Sequence, residues 1–256
     1  HAHPDDESIG TGGTILRAHL AGHRVVLVTA TRGELGEIHN LDAAATRPVL
    51  GQVREAELRS AAEVLGIDRL VFLGYRDSGM AGLVANDEPG SFHAAPLEEA
   101  AERLARVLRE ERPLVVVTYS SHGTYGHPDH VKAHETTVAA LALLHSEGWE
   151  PDRYYEEALP QSVVDEVQRR IAAAGVTDVP AAQLVGVPDG EITVRLDVRD
   201  LASQKQEALA RHVSQMDPAG PWTTMQGQTL EAALGWEHYI LVGGDAGPRG
   251  TATSLV

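Results

Sequence analysis

Cysteine is absent from this chain of 256 residues. That excludes a disulfide framework, a thiolate-held zinc finger and a cysteine nucleophile together, and it fits a reducing compartment. Basic charge is scarce: 21 Lys and Arg stand against 37 Asp and Glu, a formal net charge of −16. Nucleic acid is disfavoured as the main partner, because binding a phosphate backbone needs a basic face. No apolar run approaches the ~18 residues of a membrane span, so no membrane segment is expected. Internal repeats, low-complexity tracts and clear linkers are lacking, and one domain over 1–256 is expected. Several familiar signatures fail as well. There is no G-x-S-x-G elbow, and His134-Glu135 opens an H-E-x-x-H that stops at Val138. Gly10-Thr11-Gly12-Gly13 resembles a dinucleotide loop, but Ile15 stands where the third glycine belongs.

What is present is the composition of an ordinary globular protein, 43% hydrophobic and 23% charged. Histidine is plentiful at 13 copies, so any metal would be held by nitrogen and oxygen. The chain opens His1-Ala2-His3-Pro4 with no methionine and no signal pattern, as though cut just after a first strand. Apolar runs of strand length fall at 24–31, 70–74 and 114–119. Without alternation, they read as strands covered on both faces, as in a parallel sheet. Helices are expected at 13–22, at 52–65 ending at Gly66, and at 97–111 stopped by Pro113. Later come helices at 129–146, 161–174 and 201–215, strands at 191–198 and 238–243, and long loops at 78–96 and 216–228. Strand and helix in alternation predict a Rossmann-like, doubly wound α/β fold. Its sheet should be mostly parallel with helices on both faces, and its C-terminal part irregular.

Two segments carry chemistry. His3-Pro4-Asp5-Asp6-Glu7 precedes the first helix, and His127-Pro128-Asp129-His130, with His122 and Tyr125 before it, follows the strand at 114–119. Both lie where ligands bind in open α/β sheets, outside the carboxyl ends of strands. A His with an Asp suits a divalent metal such as zinc, and a neighbouring carboxylate left off the metal can serve as general base. Taken singly, each has a plainer reading: an acidic helix start, where carboxylates favour the dipole, and a solvated histidine loop. A third group is Arg76-Asp77-Ser78-Gly79-Met80, with Arg54 and Glu37. Arg54 suits a bidentate contact to a sugar or phosphate, or equally an exposed pair with Glu55 or Glu57.

Several pieces together resemble the zinc-dependent N-acetylglucosaminyl deacetylases, the LmbE-like or PIG-L family. They are HAHPDDES at 1–8, TRGELGE at 31–37, R-x-x-E-L at 54–58, RDSGMAG at 76–82, GTYGHPDHVKAH ending at 134, and EHYILVGGDAG at 237–247. Within the family they point to its mycothiol-pathway branch. The resemblance implies His3, Asp6 and His130 as zinc ligands and Asp5 as the base. It implies that His127 stabilises or protonates the tetrahedral intermediate, with Asp129 orienting it and Tyr125 near the oxyanion. Arg54, Asp77 and Glu37 would bind sugar or inositol hydroxyls. The implied protein is a cytoplasmic hydrolase that removes an N-acetyl group from a small amino sugar such as an N-acetylglucosaminyl inositol. Iron or cobalt suits the same donors as zinc. Two alternatives stand beside it. One is a deacylase of another glycosylated metabolite or the related amidase of mycothiol S-conjugates, which often has a lysine shortly after its HPDDES; residues 9–13 here have none. The other is a nucleotide- or sugar-binding α/β module without chemistry.

Overall fold

A computed structural model describes residues 1–173, 183–244, 250–252 and 254–255. The first half runs α1 (Asp6–Gly10), α2 (Gly12–Leu20), β1 (Val26–Thr29), α3 (Ala43–Thr46), α4 (Leu50–Leu65), β2 (Arg69–Phe72), α5 (Leu97–Glu111) and β3 (Val115–Tyr119). The second runs α6 (Gly123–Gly126), α7 (Pro128–Ser146), β4 (Arg153–Glu157), α8 (Gln161–Ala173), β5 (Val194–Asp197), α9 (Ala202–Leu209), α10 (Pro221–Thr224), α11 (Gly227–Leu234), β6 (Trp236–Gly244) and β7 (Gly250–Ala252).

Local chemistry explains the long helices. The C-cap of α4 is Gly66 at φ 73, where the missing Cβ makes a left-handed residue inexpensive. On α5, Glu98 and Glu99 stand in the first turn and Arg109 in the last, matching the helix dipole. It buries Ala101, Leu104, Ala105 and Leu108 at helical spacing, and Pro113 follows. In α7, Pro128 sits at the first turn, where its missing N–H costs nothing, and His127 caps the Asp129 N–H.

β1 pairs with β2 in parallel, and a second sheet has the order β3-β4-β6-β5-β7. There β3–β4 and β5–β7 are parallel, while β6 is antiparallel to both β4 and β5. The fold is α/β as expected, with a mixed sheet. Successive residues of β3 show how it is covered: Val115 and Val117 pack with Ile15, Leu16, Ala61 and Leu65, whereas Val116 packs with Leu104, Leu108, Ala140 and Leu144. The two-residue period of a strand therefore sends side chains alternately to α2/α4 and to α5/α7, so helices cover both faces.

Several details differ from expectation. Val26, Val28 and Val115–Val117 are half-buried, because they line an apolar cavity of about 420 Å³ between β1 and β3. Its lining is mainly apolar, with Arg24, Glu111 and Arg112 also on it, and it includes none of His3, Asp5, Asp6, His127, Asp129 and His130. The helix expected at 201–215 ends at Leu209, and a 3₁₀ turn at Val213–Gln215 follows. The loop expected at 216–228 holds α10 and the start of α11, and the one at 78–96 holds a 3₁₀ turn at Val84–Asp87. Residue 174, and 245–247 of the EHYILVGGDAG piece, lie outside the described residues.

Candidate active site

The first two residues hold the HPDD segment against two strand ends. Ala30 N–H donates to the His1 carbonyl (2.9 Å) and Thr31 N–H to the Ala2 carbonyl (3.0 Å), just past β1. Ala2 N–H donates to the Tyr119 hydroxyl at the end of β3 (2.9 Å). The loop after β2 brings Asp77 and Ser78, and beyond β3 come Tyr125 on α6, His127 at the α6–α7 junction and His130 in the first turn of α7. Connections at strand carboxyl ends thus converge, as in other open α/β sheets.

His3, Asp6 and His130 meet. Asp6 Oδ2 lies 3.5 Å from His3 Nδ1, and Asp6 Oδ1 lies 3.4 Å from His130 Nε2. His127 joins them, its ring 4.5 Å from that of His3 and 5.3 Å from that of His130. His3, His127 and His130 form one group of ring nitrogens close enough to share an ion, and His3, Asp77 and Asp129 form another. Among the described residues, both nitrogens of the buried His130 ring lack a hydrogen-bond partner. A buried imidazole with idle nitrogens is costly unless something else takes them up, and a cation would do so. The field agrees. Burial opposes charge on His3, yet hydrogen bonds with Asp129, Asp6 and Asp77 raise its pKa well above the ordinary value. A pocket that rich in carboxylates attracts a cation. These residues fit a divalent metal held by nitrogen and oxygen.

Asp5 and Asp6 are neighbours with opposite surroundings. Asp6 accepts from the Tyr119 hydroxyl (2.7 Å) and the His3 N–H (2.8 Å). Burial raises its pKa, but His130 and His3 outweigh that and hold it well below the ordinary range. Asp5 turns the other way, onto Arg54 Nη2 at 3.0 Å. Burial is the main reason its pKa rises to about 6, Arg54 opposing and Asp6 adding to the rise. A carboxylate of that pKa is ionised at neutral pH and still basic enough to take a proton.

His127 Nδ1 accepts the Asp129 N–H (3.1 Å), which assigns the proton of the neutral ring to Nε2. Burial, then repulsion from His3 and His130, lowers its pKa to about 3, so the ring stays neutral. Asp129 orients His127 through its main chain. Its buried carboxylate instead meets His3 Nε2 (3.1 Å), Ser78 N–H (3.0 Å) and the Ser78 hydroxyl. The Tyr125 ring stands edge-on to His130 and His127, at 5.0 and 6.1 Å. It follows Thr124, whose φ is 65.

The three expected substrate contacts fare differently. Asp77 is buried beside His3 (3.6 Å) and accepts from Gly79 N–H (2.8 Å) and Leu35 N–H (3.1 Å). Burial raises its pKa, but His3 and Gly79 more than offset this and leave it below the ordinary range. Arg54 is not on a rim: it is 3% exposed and donates to the Pro4 carbonyl (2.5 Å), the Gly33 carbonyl (2.8 Å) and Asp5. Glu37 points to solvent and pairs with His39 at 3.1 Å, away from the cluster. The motif supplies Glu34 in its stead, which accepts the Asp77 N–H at 3.0 Å. Tyr119, Ser78 and Glu34 were not singled out from the sequence, although each lies in or beside a motif that was. His122 and Arg76 are exposed.

The glycine-rich turn at 10–13 holds no room for a phosphate. Its helix N-terminus is occupied by the buried Glu237 carboxylate, which accepts from Gly13 N–H (2.7 Å) and Thr14 N–H (2.8 Å).

A carboxylate-lined histidine cluster at strand ends of an α/β fold, with a second carboxylate diverted beside it, suits a metal-dependent hydrolase. The comparisons narrow this further. The profile of the PIG-L family, described as GlcNAc-PI de-N-acetylase, matches residues 1–141, and the chain belongs to that family. It is 43% identical to a 1D-myo-inositol 2-acetamido-2-deoxy-alpha-D-glucopyranoside deacetylase of Kineococcus radiotolerans, over 96% of this chain and 77% of the relative. Among solved structures it resembles N,N'-diacetylchitobiose deacetylase from Pyrococcus horikoshii. The TM-score is 0.64 at 20% identity, covering 94% of this chain and 80% of that one. It also resembles 4-carboxy-2-hydroxymuconate hydratase from Pseudomonas putida, with a TM-score of 0.56 at 19% identity, covering 98% and 95%. The fold therefore hosts more than one reaction, and the chemistry must be argued from the site.

Proposed function

We propose that this chain removes the N-acetyl group from an N-acetylglucosaminyl inositol, using water and a zinc ion held by His3, Asp6 and His130. The observation that carries the reading is the divergence of Asp5 from Asp6, which separates a base from a ligand within two residues. When bound, a divalent cation of this kind polarises a carbonyl oxygen and acidifies water. Asp5 takes the proton of the attacking water as its oxygen bonds to the acetyl carbon. The Nε2–H of neutral His127 donates to the carbonyl oxygen as negative charge gathers there. Tyr125 walls the same side of the cluster. The C–N bond then breaks, the nitrogen leaves as the sugar's amine, and acetate remains. The amine gains the proton that Asp5 took up; a His127 ring of pKa about 3 holds a single N–H and is a poor source for it. Asp77 presents a fixed carboxylate next to the cluster and is the substrate-hydroxyl acceptor in this reading. The relative's name supports the inositol aglycone.

Metal analysis combined with amine release from a substrate panel tests this. The panel contains N-acetylglucosaminyl inositol, free N-acetylglucosamine and a mycothiol S-conjugate. Expected are about one zinc per chain, amine release fastest from the inositol glycoside, and loss of activity on chelation with recovery on adding zinc. Preferential cleavage of the S-conjugate, or full activity in metal-free protein, overturns it.

A further inference from the structure

The mechanism makes no use of a buried pair behind the site. Glu7 and His212 are both 0% exposed, and His212 Nε2 lies 2.8 Å from Glu7 Oε1. The other oxygen, Glu7 Oε2, accepts the Asp5 N–H at 2.9 Å. The Asp5 backbone is unusual: φ is 106 and ψ −32, a conformation L-residues rarely adopt. Such strain persists only where the surroundings enforce it. Here it is enforced from two sides. Glu7 holds the Asp5 N–H, while Arg54 holds both the Asp5 carboxylate (3.0 Å) and the Pro4 carbonyl (2.5 Å). The twist is what sends the side chains of Asp5 and Asp6 in different directions.

Both arms are fastened to α4. Arg54 is on that helix, and one turn later its Glu57 accepts the Ser214 N–H and the Ser214 hydroxyl, each at 2.7 Å. Ser214 lies two residues after His212, so this clamp fixes the segment that delivers the imidazole.

We infer that His212, acting through Glu7, is a positioning residue that holds Asp5 in its positive-φ conformation, with the carboxylate on Arg54 beside the cluster rather than among the metal ligands. It comes from beyond residues 1–141, the stretch that the family profile matches. The inference rests on the reading of Asp5 as the base.

The test is His212→Ala beside His212→Gln, whose amide supplies a donor near the position of Nε2. Kinetics are normalised to folded protein and read with metal content, and the crystal structure of His212→Ala is determined. Expected for His212→Ala is a kcat about 10–100-fold lower, with KM and zinc per chain within twofold of wild type. His212→Gln should return kcat to within threefold. In the His212→Ala crystal, the Asp5 φ should leave the positive region. Unchanged kcat per folded molecule, or an Asp5 that keeps its conformation in that crystal, overturns the inference. If His212→Ala does not fold, Glu7→Gln replaces it in every arm, because the amide turns one of the two accepting oxygens, the one toward His212 or the one toward the Asp5 N–H, into an NH2 donor. If wild type releases no amine, the deacetylase reading has failed, and the Asp5 conformation in the variant crystal decides this inference alone.

Discussion

Adjacent aspartates with opposite partners make a sharp experiment. Asp5→Asn should retain zinc and lose about 10²–10⁴-fold in kcat, the usual worth of a general base. Asp6→Ala should lose zinc affinity first, with activity partly restored by added metal. Metal content beside steady-state rates separates the two, and the opposite pattern would reverse the assignment. A further residue-scale effect concerns Glu157. Its pKa rises from the ordinary 4.5 to about 8, chiefly through burial and then through repulsion from Asp6 and Glu237. The folded protein thus keeps a proton that the unfolded chain releases. The associated stability is complete below about pH 4.5 and is lost as pH rises through about 8. In metal-free protein, Glu157→Gln should therefore match wild type near pH 4.5 and exceed it in Tm at pH 8.5, by several degrees if ~1–2 kcal/mol is recovered. An equal Tm difference at both pH values would show that the carboxyl group does not titrate this way.

At the scale of elements, the helix at 97–111 and the Gly66 stop were legible because helical spacing, caps and breakers are written locally. The motif residues were legible for a related reason: each cluster sits within a few residues at one strand end. Arg54 shows where local reading stops. Its place on α4 is evident from sequence, but the direction of its side chain depends on Pro4 and Gly33, which only tertiary packing brings near. Both of its Nη groups are engaged by protein rather than left for a sugar, and its Nε, buried with them, has no partner among the described residues. Arg54→Ala should consequently lower kcat at least tenfold with KM nearly unchanged, because what it removes is the support of Asp5. It should also destabilise the fold by leaving the buried Pro4 carbonyl without its donor, whereas the Gly33 carbonyl keeps the Gly36 N–H. A rise in KM at constant kcat would restore the sugar-contact role to this residue.

Across the whole molecule, the parts least legible in sequence are those that join the two halves. No local pattern marks His212 as a neighbour of Glu7, or Lys205 and Glu237 as a pair, since each partner is 32 to 205 residues away. β4 and β7 went unrecognised for a similar reason: they are short, and pairing with distant strands defines them. Yet these contacts hold the motif in place. Glu237, on β6, caps the start of α2 and is itself met by Lys205 Nζ at 2.6 Å, both side chains at most 2% exposed. Lys205 also donates to the Ile9 carbonyl at the end of α1 (3.1 Å), directly behind the HPDD segment. Removing one member of a buried pair leaves an uncompensated charge, at a cost of about 3–5 kcal/mol. Lys205→Met should lower unfolding free energy by that amount. Adding Glu237→Gln should return at least half of it, because the neutral amide leaves no isolated charge and can still accept an N–H at the start of α2. Urea denaturation with an unchanged m value checks both variants. If the single and double variants are equally unstable, the loss lies in packing around the lysine stem, and the charge pair is not what binds α9 and β6 to the first turn of the chain.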